Sequence, residues 1–218
     1  GALEELLTDR YSYFLGATEH PVCRFHLSDR GPDVTLPNPP FAEVIRDGHH
    51  VIRLQHPDFE GEIDLDGEGK VSTAADAYTV DHILRILLAV LAPRHNAVML
   101  HSCGVISGEV ANVFAGVSGA GKSTLASLAG DRPILSDEHV IVQRRRDGWV
   151  ATSTPFWGSY AVPGPARYAP IRRLWSLVQA PTNDVVPLDA GEALVVVMAN
   201  AVLPSPDPEF KHAVFAVA

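Results

Sequence analysis

Eight consecutive residues, Gly116-Val-Ser-Gly119-Ala-Gly121-Lys122-Ser123, have the types and spacing needed to hold a chain of phosphates. They satisfy the pattern G-x-x-x-x-G-K-[ST], and each fixed position has a physical reason. Glycines let backbone N–H groups approach phosphate oxygens with no Cβ in the way. A helix starting behind the loop adds the positive end of its dipole. Lys122 supplies a compact charge for the β- and γ-phosphates, and the Ser123 hydroxyl suits a Mg²⁺ ion. The candidate nucleotide-binding residues are therefore Gly116, Ser118, Gly119, Ala120, Gly121, Lys122, Ser123 and Thr124, with ATP and Mg²⁺ as the expected ligands.

A second group of residues carries acid–base and metal chemistry. Asp137 and Glu138 end the run Pro133-Ile-Leu-Ser-Asp-Glu, a short helix and strand beyond Lys122. A carboxylate at the end of an apolar strand beside such a loop holds the metal, directly or through water. Two adjacent carboxylates allow a division of labour, one on Mg²⁺ and the other accepting a proton from an incoming hydroxyl. Neighbours along a strand point to opposite faces, so both can serve one site only if the strand has ended. His101 closes an upstream strand and reads equally as a site residue or as a hydrogen-bonded, half-buried one. Cys23-x-x-His26 and His101-x-Cys103 offer four zinc ligand types, but the spacing is not distinctive and Cys103 reads as a core residue. Trp157 and Tyr160 either line an acceptor pocket or anchor their loop. Arg167, Arg172 and Arg173 are of a type that can contact a transferring phosphoryl group, but they read more simply as surface arginines on a helix.

The elements that must position these groups follow from periodicity. Between residues 51 and 75, Phe59, Ile63 and Leu65 alternate with Glu60, Glu62 and Asp64, the pattern of a half-buried antiparallel strand. Asp66-Gly67-Glu68-Gly69 turns the chain, and Lys70-Val71 begins the return. Val80, Ile83, Leu84, Leu87, Leu88 and Leu91 form one apolar helical stripe, with Pro93 as its stop. Strands are expected at Val98–Leu100, at Val105-Ile106 and, after the turn Ser107-Gly108, at Val110–Phe114, which leads into the loop. A short helix over Leu125–Ala129 ends at Gly130. Strands follow at Ile134-Leu135 and Val140–Val142, and Arg144-Arg145-Arg146 with Asp147-Gly148 reads as a solvated hairpin end. Pro155, Pro163, Pro165 and Pro170 predict a looped excursion, and helices are expected over Ile171–Val178 and Glu192–Leu203. Residues 1–50 carry the weakest signal: Asp29–Pro40 is rich in turn formers, Asp47-Gly48 marks a turn, and His49-His50 read as exposed.

Composition narrows the function classes. The 218 residues are 46% hydrophobic and 20% charged with a net charge of −9, an ordinary globular balance without the basic footprint of a nucleic-acid binder. Two cysteines make no disulfide framework and suit a reducing compartment. The first residues carry no secretory pattern, and no apolar run reaches the roughly 18 residues of a membrane span. A cytoplasmic protein, with neither nucleic acid nor membrane as partner, is the expectation. A chain that starts without Met and stops at Ala218 reads as part of a longer one.

His101, the phosphate loop with its short helix, and Leu135-Ser-Asp-Glu-His-Val140 together resemble the HPr kinase/phosphorylase-like kinases, which share a core with ATP-dependent phosphoenolpyruvate carboxykinase. Thr154-Pro155-Phe-Trp-Gly158 and Ala169-Pro170-Ile171 look like pieces of the family's later segments. The resemblance spans about 98–200 and is strongest over 98–142. It implies an α/β fold with a mixed-sheet P-loop core over 76–218, beside the small β-rich N-terminal lobe that the alternation marks over 1–75, or continuous with it as one domain. It also implies phosphoryl transfer from ATP to a hydroxyl, with His101 near the transferred phosphate, Asp137 as base and Glu138 on the metal. The acceptor would be a seryl group of a peptide or protein, or a small molecule. Relatives are often oligomeric, which extends the expectation to a homo-oligomer. The chain departs from the pattern in three places: Glu138 stands where the family commonly has Asp, the glycine-rich signature after the acidic pair is missing, and 1–97 do not match the N-terminal domain of HPr kinases proper. Two further classes stay open: an ATP-binding switch or assembly module, and a carboxykinase-like lyase.

Overall fold

Strict alternation of apolar and charged side chains makes residues 51–73 a sheet whose one face is buried. The computed structural model describes residues 1–16, 21–31, 42–48, 50–160 and 166–218, and these divide into two compact units. The first unit comprises Gly1–Leu87 with Pro204–Asp207. Its sheet contains β1 (Arg24–Asp29), β2 (Glu43–Asp47), β3 (Val51–His56), β4 (Phe59–Asp64) and β5 (Glu68–Thr73), in the order β1-β5-β4-β3-β2. Strands β2 to β5 form an antiparallel meander, and β1 adds to β5 in parallel. Val44, Ile52, Leu54, Phe59, Ile63 and Val71 are buried, as the alternation predicts. Expected turns at Asp47-Gly48 and Asp66–Gly69 lie where the strands reverse, and exposed His50 pairs with Asp66. His49 and most of the turn-rich 29–40 stretch lie outside the described residues.

Two helices serve this unit. Helix α1 (Ala2–Arg10) is tied to α2 (Ala77–Arg94) through buried Asp81, which accepts from Arg10 Nε at 2.9 Å and from Tyr11 OH at 2.7 Å, with Arg10 Nη2 on its other oxygen. The expected apolar stripe of α2 is present, with Val80 and Ile83 fully buried. Pro93 does not stop the helix but sits in its last turn, and Asn96, with a positive φ of 53°, ends the turn beyond it. The division between the units falls within this helix, between Leu87 and Leu88.

The second unit, Leu88–Leu203 with Pro208–Ala218, is built around a ring of strands. Strand β6 (Ala97–Ser107) is one continuous element rather than two, and it changes neighbours along its length. Its first half pairs with β9 (His139–Arg145), and its second half pairs with β7 (Val110–Ala115) on one edge and with β8 (Ile134–Ser136) on the other. Strands β9 and β10 (Gly148–Thr152) form the expected hairpin, and β10 pairs with β11 (Tyr168–Ser176). Strand β11 then pairs in parallel with β7, so β7, β11, β10, β9 and β6 close a cycle. Ile106, Ala111, Val113, Leu135, Val140, Ala151 and Ala169 fill its interior. Helices α4 (Ala190–Asn200) and α5 (Pro208–Val217) add Val197, Met198, Val214 and Val217 against Val98 and Leu100 on the same strand face.

Residues 171–178 are a correction. The expected helix is strand β11: Ala169 and Ile171 face into the ring, and a bulge between Ile171 and Arg173 turns Arg173 and Trp175, which pair with Asn112 and Phe114, to the other side. A short apolar run bracketed by arginines carries no period strong enough to decide, and long-range pairing with β7 decides it. The same pairing places Pro170 inside a strand rather than in the excursion, and Arg172 and Arg173 on a strand rather than a helix. Pro163 and Pro165 lie outside the described residues. The protein is thus mixed α/β with two mixed sheets, and among the described residues no helix is long and apolar enough to cross a membrane.

His82 of α2 meets Phe59 edge-on at 5.3 Å and His56 at 5.4 Å. Burial, reinforced by His56 and Arg85, lowers its pKa to about 4. The unfolded chain therefore takes up a proton first as pH falls, and stability is lost between about pH 6.5 and 4. His82→Gln is expected to flatten this part of the profile, measured by urea denaturation at pH 7 and pH 4.5.

Candidate phosphate and metal site

The loop between β7 and helix α3 (Lys122–Leu128) is shaped by its glycines. Gly119 and Gly121 have φ of 83° and 108°, a region that side chains avoid. At Gly116 the neighbours decide: a Cβ there would come within 2.9 Å of the Ala120 Cβ and 3.2 Å of the Leu177 carbonyl oxygen. Lys122 folds back under the loop, and its Nζ donates to the carbonyls of Gly116 at 2.8 Å and Val117 at 3.1 Å. Burial lowers the Lys122 pKa, while Glu138, Cys103 and Asp137 pull the other way.

The carboxylates enter through a chain reversal. Strand β8 ends at Ser136 and β9 begins at His139, so Asp137 and Glu138 lie in a bend and escape the strand alternation that would separate them. Ser136 makes this bend: its Oγ accepts from the N–H groups of Glu138 and His139 at 3.0 Å each, and donates to the Phe156 carbonyl at 2.7 Å. Asp137 is only 2% exposed. Its Oδ2 accepts from Ser123 Oγ and from Tyr160 N at 2.9 Å each, and its Oδ1 accepts from Gly158 N at 2.7 Å. Asp137 thereby joins the phosphate loop to the 154–160 segment.

Glu138 stands beside it in a different setting. Its side chain is 28% exposed, and one oxygen lies 3.7 Å from His101 Nδ1. The ring of His139 is 5.5 Å from that of His101 and meets buried Phe156 edge-on at 5.9 Å. Among the described residues, His101, Glu138 and His139 are the group whose ligand atoms lie within 4.8 Å of one another. Cys103 takes no part: burial raises its pKa to about 12, and it packs with Val105, Ala126 and Ala129 beneath α3. Cys23, in the first unit, donates to the Asp64 carbonyl at 3.5 Å.

The structure therefore brings Lys122, Ser123, Asp137, Glu138 and His101 into one neighbourhood. Tyr160 anchors its loop, with its N–H on Asp137 and its side chain packed on the Cys103 cluster. Three contributors escaped the sequence reading. Ser136 has no motif of its own. His139 is hidden in an apolar strand start. Gly158 had a signal, the Thr154–Gly158 run, but its reason is spatial: a Cβ there would lie 2.8 Å from Glu138 Oε2 and 3.1 Å from Asp137 Oδ2. Compared with known proteins, the chain matches no family model and no curated protein.

Removing the Ser136 hydroxyl leaves the N–H groups of Glu138 and His139 without their acceptor inside the protein. Ser136→Ala is expected to cost about 1–3 kcal/mol, read from the shift in the urea midpoint at constant slope.

Proposed function

We propose that this chain is an ATP-dependent kinase that transfers the γ-phosphoryl group to a hydroxyl, in keeping with its resemblance to the HPr kinase-like group. The hydrogen bond between Ser123 Oγ and Asp137 Oδ2 at 2.9 Å carries the reading. It couples the hydroxyl of a phosphate-loop sequence to a buried downstream carboxylate, the pairing a metal–triphosphate site needs. Ser123 and Asp137 offer oxygen donors only, a set that fits Mg²⁺. Bound there, Mg²⁺ supplies charge neutralisation at the β- and γ-phosphate oxygens.

The chain's own groups divide the rest of the work. Lys122 exchanges the two loop carbonyls for phosphate oxygens, a trade its low-dielectric surroundings strengthen. Backbone N–H groups of Gly119, Gly121 and Ser123 cradle the phosphates. Asp137, with both oxygens engaged and almost no exposure, holds Ser123 and the 154–160 segment in register. Glu138 is the carboxylate an acceptor can reach. It takes the hydroxyl proton while the new oxygen–phosphorus bond forms and the bond from the γ-phosphorus to the bridging oxygen breaks, releasing ADP. His101 orients Glu138 from the β6 side. This reverses the roles of the two carboxylates that the resemblance implies. The acceptor class is a seryl group of a peptide or protein, or a small hydroxyl compound.

A second reading is favoured by one observation. Gln179 Nε2 donates to the Gly119 carbonyl at 2.8 Å, and the chain on either side of it exposes Val178, Val185 and Val186. A phosphate loop wired to an exposed apolar segment suits a nucleotide-dependent switch, in which ATP binding changes what that segment contacts.

The test is a ³¹P NMR time course with Mg·ATP and a pool of peptides and small hydroxyl compounds. A phosphomonoester signal growing with ADP establishes the kinase; nucleotide binding with free phosphate alone establishes the switch instead. Lys122→Ala is expected to abolish transfer, and normal turnover in that variant would sink the site. Glu138→Gln is expected to keep Mg·ATP affinity and lose about 10²–10⁴-fold in rate. Asp137→Asn is expected to weaken Mg·ATP binding as well. The opposite pattern for the two carboxylates restores Asp137 as the base. Gly158→Ala is expected to lower Mg²⁺ affinity with the urea midpoint nearly unchanged, since its Cβ meets carboxylate oxygens rather than backbone.

A further inference from the structure

Beside α3 runs an open groove of about 530 Å³, within the range of small-molecule sites. One end is formed by Gly121 and Thr124 of the phosphate loop and by Gln179, which is bonded to the Gly119 carbonyl. The floor is the outer face of the strand ring, where Val105, Asn112 and Phe114 line it. Leu125, Leu128 and Ala129 make the opposite wall. The lining is thus mostly apolar, with a few polar groups.

Those polar groups are oriented. Trp175 Nε1 donates to Asn112 Oδ1 at 3.1 Å. An indole nitrogen only donates, so this bond fixes which end of the Asn112 amide is oxygen and turns its NH₂ the other way. The oxygen retains a second lone pair, leaving a donor and an acceptor side by side. That pair matches the N6/N7 edge of adenine, the edge that asparagine recognises elsewhere. The floor beneath it is stiff: Phe114 lies parallel to Trp175, 9° between planes at 6.1 Å, and Arg173 caps the indole at 5.4 Å. A flat, braced aromatic surface next to an oriented amide is suited to stacking and edge-reading of one heterocycle.

We propose that this groove is the nucleobase site, and that it takes a purine, adenine by the edge that Asn112 presents. The inference rests on the phosphate-loop reading above. Thr124 borders both the phosphates and the groove, so a nucleotide can occupy the two at once without bending back on itself. The groove's continuity with the loop at Gly121, Thr124 and Gln179 makes the base of a loop-bound nucleotide the occupant the groove favours over a separate peptide segment.

Isothermal titration with Mg²⁺ compares ATP with inorganic tripolyphosphate on the wild-type protein, on Asn112→Ala and on Leu128→Asp. Leu128 is 77% exposed, so the second variant alters the groove wall without touching the core. The wild type is expected to bind ATP at least tenfold more tightly than tripolyphosphate, and both variants to lose that margin while tripolyphosphate affinity stays constant. If ATP and tripolyphosphate bind the wild type equally, or if both variants keep the margin, the groove is not the base site although the phosphate loop stands. If neither ligand binds the wild type, the phosphate-loop reading falls and the inference falls with it. A GTP affinity equal to that of ATP would overturn the adenine edge-reading.

Discussion

The carboxylate of Asp137 is the point on which this site depends. Three separate pieces of chain meet there: the start of α3 through Ser123, the end of β8 that carries Asp137, and the 154–160 segment through the N–H groups of Gly158 and Tyr160. A buried carboxylate is costly unless its lone pairs are satisfied, and here three donors satisfy them. The charge is therefore affordable only in the folded arrangement, which makes the phosphate loop and the 154–160 segment mutually dependent. Ser136 and Gly158 support it from either side, one by closing the bend and the other by leaving room for two carboxylates.

The electrostatics around this point are asymmetric. Lys122 is enclosed by main-chain carbonyls, which stabilise its ammonium less well than water does, so its pKa falls. Phosphate oxygens in the same place would restore that lost stabilisation. On the other flank Glu138 faces His101, partly in solvent. One flank of the site is thus a buried ammonium among carbonyls and the other a part-exposed carboxylate beside a histidine, a contrast in depth of burial.

Much of this was legible because local signals were strong. The glycines of 116–121 announce a loop, the alternation over 59–65 announces a strand, and the stripe from Val80 to Leu91 announces a helix. The acidic pair was visible as well, including the condition that the strand must end before it. What stayed hidden depends on partners distant in sequence. Residues 171–176 carry no decisive period, and their extended form comes from parallel pairing with β7. The continuity of β6 was obscured by Ser102, Cys103 and Gly104, small residues that look like a break. Gly104 is there because a Cβ would come within 3.0 Å of Leu135 and Val140. The different burial of Asp137 and Glu138 was likewise beyond reach, since adjacent carboxylates differ only in what surrounds them.

The closed cycle of strands has a bearing on how the protein assembles. Strand β7 is held on one edge by β6, joined to it through a tight hairpin, and on the other by β11, which arrives only after the loop, α3 and three further strands have been made. The hairpin forms quickly, whereas the parallel pairing must await closure of a long intervening chain. The strand that leads into the phosphate loop is thus half secured early and half secured last. Ordering of the Gly116–Ser123 loop is thereby tied to ring closure, so the loop is held from both edges of β7 only once the second unit has closed.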